Sequence, residues 1–398
     1  MREKLSFSRV PVFSTIRDWV LKLGHYKLTS PKEPGQWVLI IDSSIQMGSM
    51  KCLLILGVRI DKPTKNGDYQ LSHCDVEPII LKTLKSSPGE VIDETLREAE
   101  NLIGGAFQGV LTDQANEFKR GISIYNTNVN KTVHLFDINH KLDLIVKKEF
   151  EADELWKCFT TKANQTLHKL KLTEFSHLVP PKQRQKNRFL SEIDSVKWGI
   201  KLLNFFYQYG NTMPQEQLDK ISWISQYELT LARYLQISNI SKIAIDHVRK
   251  KGYYIGCHKD FMEYFLDHES TNMVPEFYQK VCKAIEEECI KLPVGVRIPG
   301  SSEVIESTFG KFKQLEKGNA SGGLSSLVLS IPAFLGKTTK EIVAKAMENT
   351  KISSVQSWVK ENLGITFWSK RRRDLKTPLD EMITENNDLN LHESKFFV

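Results

Sequence analysis

Two short stretches decide the fold of this chain: they read WVLIID at residues 37–42 and GVLTD at residues 109–113. Each is a run of apolar and β-branched residues that closes on an aspartate. This pattern predicts a buried β-strand with a carboxylate at its end. Asp42 and Asp113 are therefore predicted to lie at the rim of one sheet.

The stretches around these two runs predict the rest of the sheet. Apolar runs at residues 50–60, 69–82 and 132–136 indicate three more strands, and the first three strands follow one another closely enough to be antiparallel. A helix between them has its apolar residues on one stripe and ends at Gly104-Gly105. A shorter helix is predicted over residues 116–122. The predicted fold class is α/β, with the order β-β-β-α-β-α-β.

The chain divides into five predicted segments. They are an N-terminal helix and linker (1–34), the first part of the sheet domain (35–146), an all-α insertion (147–297), returning helices (298–374) and a flexible polar tail (375–398). Gly24 is expected to end the first helix, and one long helix is expected over residues 147–171. A further helix is predicted to begin near Ser302.

Bulk composition excludes several classes of protein. The 398 residues are 40% hydrophobic, and no apolar run is long enough to cross a bilayer, so we expect an intracellular protein without a membrane partner. The six cysteines form no Cys-x-x-Cys pair, which argues against a zinc ribbon or a thioredoxin-like site. A net charge of +7 permits a nucleic-acid partner without requiring one.

The two strand-end aspartates predict a metal site. A single aspartate at a strand end is often only a turn cap. Two of them on neighbouring strands would instead place unpaired charge near the core, which is costly unless a divalent cation offsets it. With a third carboxylate they could hold two Mg²⁺ ions about 3.5–4 Å apart, an arrangement suited to phosphoryl transfer.

These motifs, in this order, resemble the RNase H-like catalytic core of DDE-type DNA transposases. Residues 37–42 and 109–119 resemble the two strands that carry the first and second aspartates of that family. The sequence DINH at residues 137–140 matches the Cys/Asp-x-x-His motif of hAT and related superfamilies. The sequence SSEVIESTFGKFK at residues 301–313 resembles the helix with the third acidic residue. The resemblance covers residues 37–315, including a large helical insertion before that helix.

The resemblance implies a function and its cofactors. Asp42, Asp113 and Glu306 would hold two Mg²⁺ ions, with Mn²⁺ as a substitute, and would catalyse DNA strand cleavage and strand transfer at transposon ends. The partners implied are double-stranded DNA and a second copy of the chain, most often in a dimer. The protein would be cytoplasmic and nucleoid-associated in a bacterium, or nuclear in a eukaryote. Residues 1–34 are too short for the usual end-reading domain, which is expected elsewhere.

The third carboxylate has two candidates. Glu303 and Glu306 are three residues apart, so both can face the same side of a helix with Ser302 as its N-cap. The resemblance favours Glu306, which precedes Phe309 as the family glutamate does and has a family-like spacing to Lys313. Ser307 departs from the family, where hAT enzymes often have arginine.

Asp137 and His140 are possible accessory residues of the same site. In one interpretation, His140 binds a phosphate or orients the Asp137 side chain. In the other, Asp137 caps the following helix and His140 packs against its neighbours. The sequence leaves both interpretations open.

Basic residues beside these motifs are candidates for contacts to DNA phosphates. Alternatively, each group is an ordinary solvated surface. The candidates are Lys182, Arg184, Lys186, Arg188, Lys311, Lys313, Arg371, Arg372 and Arg373.

Two other functions remain open at this stage. One is a different RNase H-like nuclease, such as a resolvase or an exonuclease. The other is a domesticated, inactive transposase that acts as a DNA-binding protein. Strand transfer distinguishes the first alternative, and metal-dependent nicking distinguishes the second.

Overall fold

The protein is a mixed α/β structure built on one five-stranded sheet. A computed structural model describes residues 10–47, 50–128, 132–181, 188–266, 271–317 and 325–363. The strands, in chain order, are β1 (Trp37–Met47), β2 (Met50–Arg59), β3 (Val76–Leu84), β4 (Gly109–Thr112) and β5 (Val133–Phe136). They lie in the order β3-β2-β1-β4-β5. The pairs β1–β2 and β2–β3 are antiparallel, whereas β1–β4 and β4–β5 are parallel.

Helices surround this sheet. In the described residues they are α1 (Phe13–Thr29), α2 (Gly89–Ile103), α3 (Asn116–Asn128), α4 (Ile138–Ala152), α5 (Glu154–Leu170), α6 (Arg188–Tyr209), α7 (Gln215–Ile221), α8 (Glu228–Lys251), α9 (Cys257–Leu266), α10 (Pro275–Cys289), α11 (Glu303–Lys317), α12 (Ser330–Ala333), α13 (Lys340–Asn349) and α14 (Ile352–Leu363). Short 3-10 turns cover Ser176–Leu178, Gly210–Thr212, Ser222–Tyr227 and Ser326–Leu329. None of the helices described combines the length and the apolar character that crossing a bilayer requires.

The order β-β-β-α-β-α-β predicted for residues 37–136 is confirmed. The predicted apolar stripe of α2 is buried, and Gly104 ends that helix with a left-handed backbone at φ 77°. Helix α3 begins at Asn116 as predicted but continues to Asn128. Helix α2 therefore connects β3 to β4 along the chain, as the sequence pattern predicts.

Alternation along β1 divides the interior into two cores. Trp37, Leu39 and Ile41 face α2 and α3 on one side of the sheet. Val38 and Ile40 face the other side, where α4 and α11 pack. Each such buried side chain contributes about 1.5–3 kcal/mol, and a shift of one residue would exchange the faces. The register of β1 is therefore fixed by burial.

The helical region between residues 147 and 297 shares its core with the sheet. A continuous apolar cluster includes Leu111 of β4, Leu142 of α4 and Ile285 of α10. The single helix predicted over residues 147–171 is wrong, because Asp153 divides it. The Asp153 carboxylate accepts hydrogen bonds from the backbone N–H groups of Leu155 and Trp156, and so begins α5.

Gly24 does not end the first helix. Helix α1 continues through Gly24 to Thr29. The glycine is needed for another reason: it lies against the backbone of Leu329, where an added Cβ would come within 1.7 Å of the carbonyl oxygen. The Lys27 ammonium, further along α1, donates hydrogen bonds to the carbonyl oxygen of Leu335 and to the Thr338 hydroxyl, at 2.7 Å from the latter. The glycine therefore marks a close approach of two segments.

Candidate active site

Asp42 and Asp113 follow two residues that pair across the sheet. Ile41 of β1 lies opposite Thr112 of β4 in the parallel pair, so the next residue on each strand is an aspartate at the same level. The prediction that β1 ends at Asp42 is wrong, since β1 continues to Met47 against β2. It is β4 that ends at this level, at Thr112, so the β1–β4 pairing stops at Ile41.

Asp42 lies in an environment that opposes its negative charge. Burial is the main cause that raises the pKa of its carboxyl to about 7, and the negative charges of Asp113 and Glu306 contribute to this rise. The backbone N–H of Ser43, which donates to Asp42 Oδ1 at 2.6 Å, acts in the opposite direction, as does His140. Asp42, Asp113 and Glu306 are therefore close enough for their charges to interact.

Asp113 is half-buried where the chain leaves β4 for α3. Its Oδ1 accepts a hydrogen bond from the backbone N–H of Ala115 at 2.9 Å, a typical turn-capping contact. That contact uses one carboxylate oxygen. Asp113 can therefore cap the turn and contribute a carboxylate to the site at the same time.

Glu306, on α11, lies near enough to Asp42 for their charges to interact, and it is held by His140. Its Oε1 lies 3.0 Å from His140 Nε2, and its side chain is 51% exposed. The hydrogen bond to Glu306 is the main cause that raises the pKa of His140 to about 9; the charges of Asp137, Glu306 and Asp113 contribute, whereas burial acts in the opposite direction. His140 is therefore an imidazolium at neutral pH, and it positions the Glu306 carboxylate.

Glu303 belongs to a different cluster. Its carboxylate lies 3.2 Å from the guanidinium of Arg249, on α8, which also contacts Asp246 at 2.6 Å. Of the two candidates for the third carboxylate, Glu306 is the one that the structure brings to Asp42 and Asp113.

Asp137 caps α4, as one of the two sequence interpretations proposed. Its Oδ1 accepts a hydrogen bond from the backbone N–H of His140 at 3.0 Å. Its Oδ2 accepts from the backbone N–H of Ser302 and, at 2.9 Å, from the Ser302 hydroxyl. Burial raises the pKa of Asp137, although these hydrogen bonds favour the ionised form. The buried Asp137 carboxylate thus joins the beginnings of the helices that carry His140 and Glu306.

One further acidic residue near this cluster, Asp143, was not predicted from the sequence. It lies one turn after His140 on α4, and burial raises its pKa to about 6. His140 lowers that pKa, whereas Asp137 and Glu306 raise it, so Asp143 lies in the field of the same cluster. Its spacing from His140 was the available signal, since residues three apart share a helix face.

Two of the predicted basic residues lie on α11, the helix of Glu306. The Lys313 ammonium is 3.2 Å from the hydroxyl of Ser44, two residues beyond Asp42, whereas the Lys311 ammonium is 3.4 Å from His73 Nδ1, in the segment before β3. Arg188 begins α6, but its side chain is not described. The other predicted DNA contacts lie outside the described residues; they are Lys182, Arg184, Lys186, Arg371, Arg372 and Arg373.

The donor chemistry of the cluster suits magnesium. Mg²⁺ prefers carboxylate oxygens and retains several waters, and a divalent cation would offset the mutual repulsion at Asp42. In the part of the chain that the structure describes, no group of three or more His, Cys, Asp or Glu side chains is arranged to hold a metal as it stands. Glu306 would therefore have to turn from His140 toward the aspartates, which its exposure permits.

Comparison with known proteins identifies no relative. No model of a known protein family matches the chain, and no curated protein matches it.

Proposed function

We propose that this chain is the catalytic core of a DDE-type DNA transposase, with an RNase H-like sheet that carries Asp42 and Asp113 and a helix, α11, that carries Glu306. The strand order β3-β2-β1-β4-β5, with three antiparallel strands followed by two parallel ones, supports the RNase H-like assignment. Fold alone does not specify function, so the proposal depends on the site.

One observation carries the proposal. Asp42 and Asp113 follow the paired residues Ile41 and Thr112, and Glu306 reaches the same place from a helix almost two hundred residues later. Carboxylates that are buried and repel one another are costly to assemble, and the pKa of Asp42 is raised first by burial and then by the charges of Asp113 and Glu306. Such a cluster is expected where a divalent cation is bound.

The residues of the cluster have distinct roles in the proposed reaction. Asp42, Asp113 and Glu306 would hold two Mg²⁺ ions, or Mn²⁺ in their place. Metal ions held by these residues would supply activation of an attacking hydroxyl and stabilisation of the leaving oxygen of a phosphodiester. His140 positions Glu306, and Asp137 fixes both helices to each other.

The same site would serve two successive steps. Water first cleaves a strand at the transposon end, and the 3′ hydroxyl that is freed then attacks a phosphodiester of the target DNA. Lys311 and Lys313, which lie on the Glu306 helix, support a contact to the phosphates of double-stranded DNA. A homodimer that brings two ends together belongs to this proposal, as does a location with the genomic DNA.

The test uses supercoiled plasmid and a labelled oligonucleotide with a free 3′ hydroxyl. We expect Mg²⁺-dependent nicking of the plasmid and joining of the oligonucleotide to it, both lost in EDTA. Asp42→Asn and Asp113→Asn should each lower the rates by at least about a hundredfold. Nicking without joining would favour a resolvase or an exonuclease. DNA binding without any metal-dependent nicking would contradict the proposal and favour an inactive descendant.

A further inference from the structure

Two lysine side chains converge on one aromatic ring at the end of β5. The Lys119 ammonium, from α3, lies 5.4 Å from the centroid of the Phe136 ring, and the Lys291 ammonium, after α10, lies 4.7 Å from it. Three separate segments of the chain therefore meet at Phe136. Neither lysine was singled out from the sequence.

This lysine–phenylalanine cluster lies next to the carboxylates. Phe136 is paired with Thr112 across the parallel strands β4 and β5, and Asp113 is the residue after Thr112. His134 strengthens the connection: its Nε2 lies 2.8 Å from the Thr112 hydroxyl, and its ring meets the edge of Phe136 at 4.7 Å. The cluster and the carboxylates therefore occupy the same end of neighbouring strands.

The two ammonium groups differ in their counter-charges. An aromatic ring attracts a cation but carries no net charge to neutralise it. In the described part of the chain, no ion pair joins Lys119 to a carboxylate, so its charge is free to meet a ligand. Lys291 contacts the buried Glu288 at 2.6 Å; Lys141 shares Glu288 and has a second carboxylate, Glu287, at 3.0 Å. Burial is the main cause that lowers the pKa of His134 to about 4; the charges of Lys291 and Lys119 act in the same direction, and that of Glu288 acts against them.

A third lysine lies at the same end of the sheet. Lys313 reaches Ser44 of β1, two residues beyond Asp42, and β1 is separated from β5 by β4 alone. Lys119 and Lys291 lie at the end of β5, next to the strand that precedes Asp113. A polyanion bound at this end of the sheet would meet positive charge at both β1 and β5.

We propose that Lys119, Phe136 and Lys291 form a binding site for the phosphodiester backbone of a DNA strand, next to the phosphate that is cleaved. The placement beside a scissile phosphate rests on the proposed function. The ring holds both ammonium groups in place, which lowers the entropy lost when they bind phosphate. Because phosphate carries no sequence information, the contact is independent of base sequence.

The test measures DNA binding without cleavage. Fluorescence anisotropy with a labelled duplex oligonucleotide is followed against salt concentration, with Ca²⁺ in place of Mg²⁺. Lys119→Met and Lys291→Met should each weaken binding about three- to tenfold and reduce the slope of log affinity against log salt by about 1. Lys345→Met, on the exposed surface of α13 beyond the opposite edge of the sheet, is the matched control and should change neither quantity.

Lys291→Met could act by disturbing the ion pair with Glu288. Lys291→Arg keeps the charge, and we expect it to restore the salt slope. Lys119→Met breaks no ion pair and serves as the independent variant. Unchanged affinity and slope in both methionine variants would overturn the inference, even if the wild type nicks plasmid. Weaker DNA binding by the methionine variants, together with a wild type that binds DNA but never nicks it, would support this binding site and contradict the proposed catalysis.

Discussion

The Asp137 carboxylate accepts hydrogen bonds from both the backbone N–H and the hydroxyl of Ser302, a residue 165 positions later in the chain. The same carboxylate caps α4 through the N–H of His140. One buried side chain therefore sets where two helices begin relative to each other. His140 and Glu306, which meet at 3.0 Å, lie within one turn of those two beginnings.

Asp137→Asn tests this connection. An amide carries a single acceptor oxygen, so either the His140 cap or the Ser302 contacts must be lost inside the protein. We expect the free energy of unfolding to fall by about 2–3 kcal/mol, measured by urea denaturation. Ser302→Ala removes one hydroxyl donor and should cost about 1 kcal/mol. Equal losses in the two variants would contradict the role given to Asp137.

Asp42→Asn is expected to stabilise the metal-free protein. Because the pKa of Asp42 is raised from 3.8 to about 7, the folded state keeps a proton that the unfolded chain loses in that window. The free energy of unfolding therefore falls as pH rises from about 4 to 7, and stays low above that range. The variant removes this effect, so its advantage should be on the order of 4 kcal/mol at pH 8 and about 2 kcal/mol at pH 5.

The measurement is urea denaturation of wild type and Asp42→Asn in EDTA at both pH values. The same difference in stability at pH 5 and pH 8 would show that Asp42 is not the group that titrates. Ser44→Ala, two residues further along β1, changes no charge and should give a pH profile parallel to that of the wild type.

Glu306→Gln and Glu303→Gln form a matched pair on one helix. Both remove one negative charge near the start of α11, so both alter the interaction with the helix dipole to a similar extent. Only Glu306 faces the aspartates, whereas Glu303 pairs with Arg249. We expect Glu306→Gln to lower Mg²⁺-dependent nicking at least about a hundredfold and Glu303→Gln to lower it less than about fivefold. The reverse order would move the third carboxylate to Glu303.

Gly24→Ala and Gly310→Ala test the packing of two helices. A methyl group at Gly24 would overlap the carbonyl oxygen of Leu329, so α1 must separate from that segment at a cost of about 3 kcal/mol or more. At Gly310, on α11, an added Cβ meets no neighbouring atom within 4 Å. There, alanine should raise the free energy of unfolding by about 0.5–1 kcal/mol through its higher helix propensity. Thermal denaturation of both variants measures the contrast.

The sheet was predictable because its signal is local. The apolar runs at residues 37–41 and 109–112 are each contained in a few residues, and an aspartate follows each run directly. Gly24 shows the limit of local reasoning. A glycine after an apolar stripe usually ends a helix, but here it permits contact with Leu329, about three hundred residues away in the chain.

The third carboxylate could be narrowed only to Glu303 or Glu306, because a spacing of three fixes a helix face and no more. The structure distinguishes the two glutamates through Arg249, a residue of the helical insertion whose guanidinium pairs with Glu303. The lysine–phenylalanine cluster could not be predicted from the sequence for the same reason. Its two lysines are separated by most of that insertion, and no pattern within either segment connects them.

The hydrogen bonds between Asp137 and Ser302 have a consequence for protein engineering. The chain leaves the sheet at Asp137 and returns at Ser302, and these two residues are in contact. Residues 138–301 therefore form a cassette, which here means an insertion whose two ends are adjacent. Changes of length within that cassette alter loop-closure entropy only slowly, by about 0.6 kcal/mol per doubling. Chimeras that exchange the cassette should therefore keep the geometry of the sheet if both anchoring residues are retained.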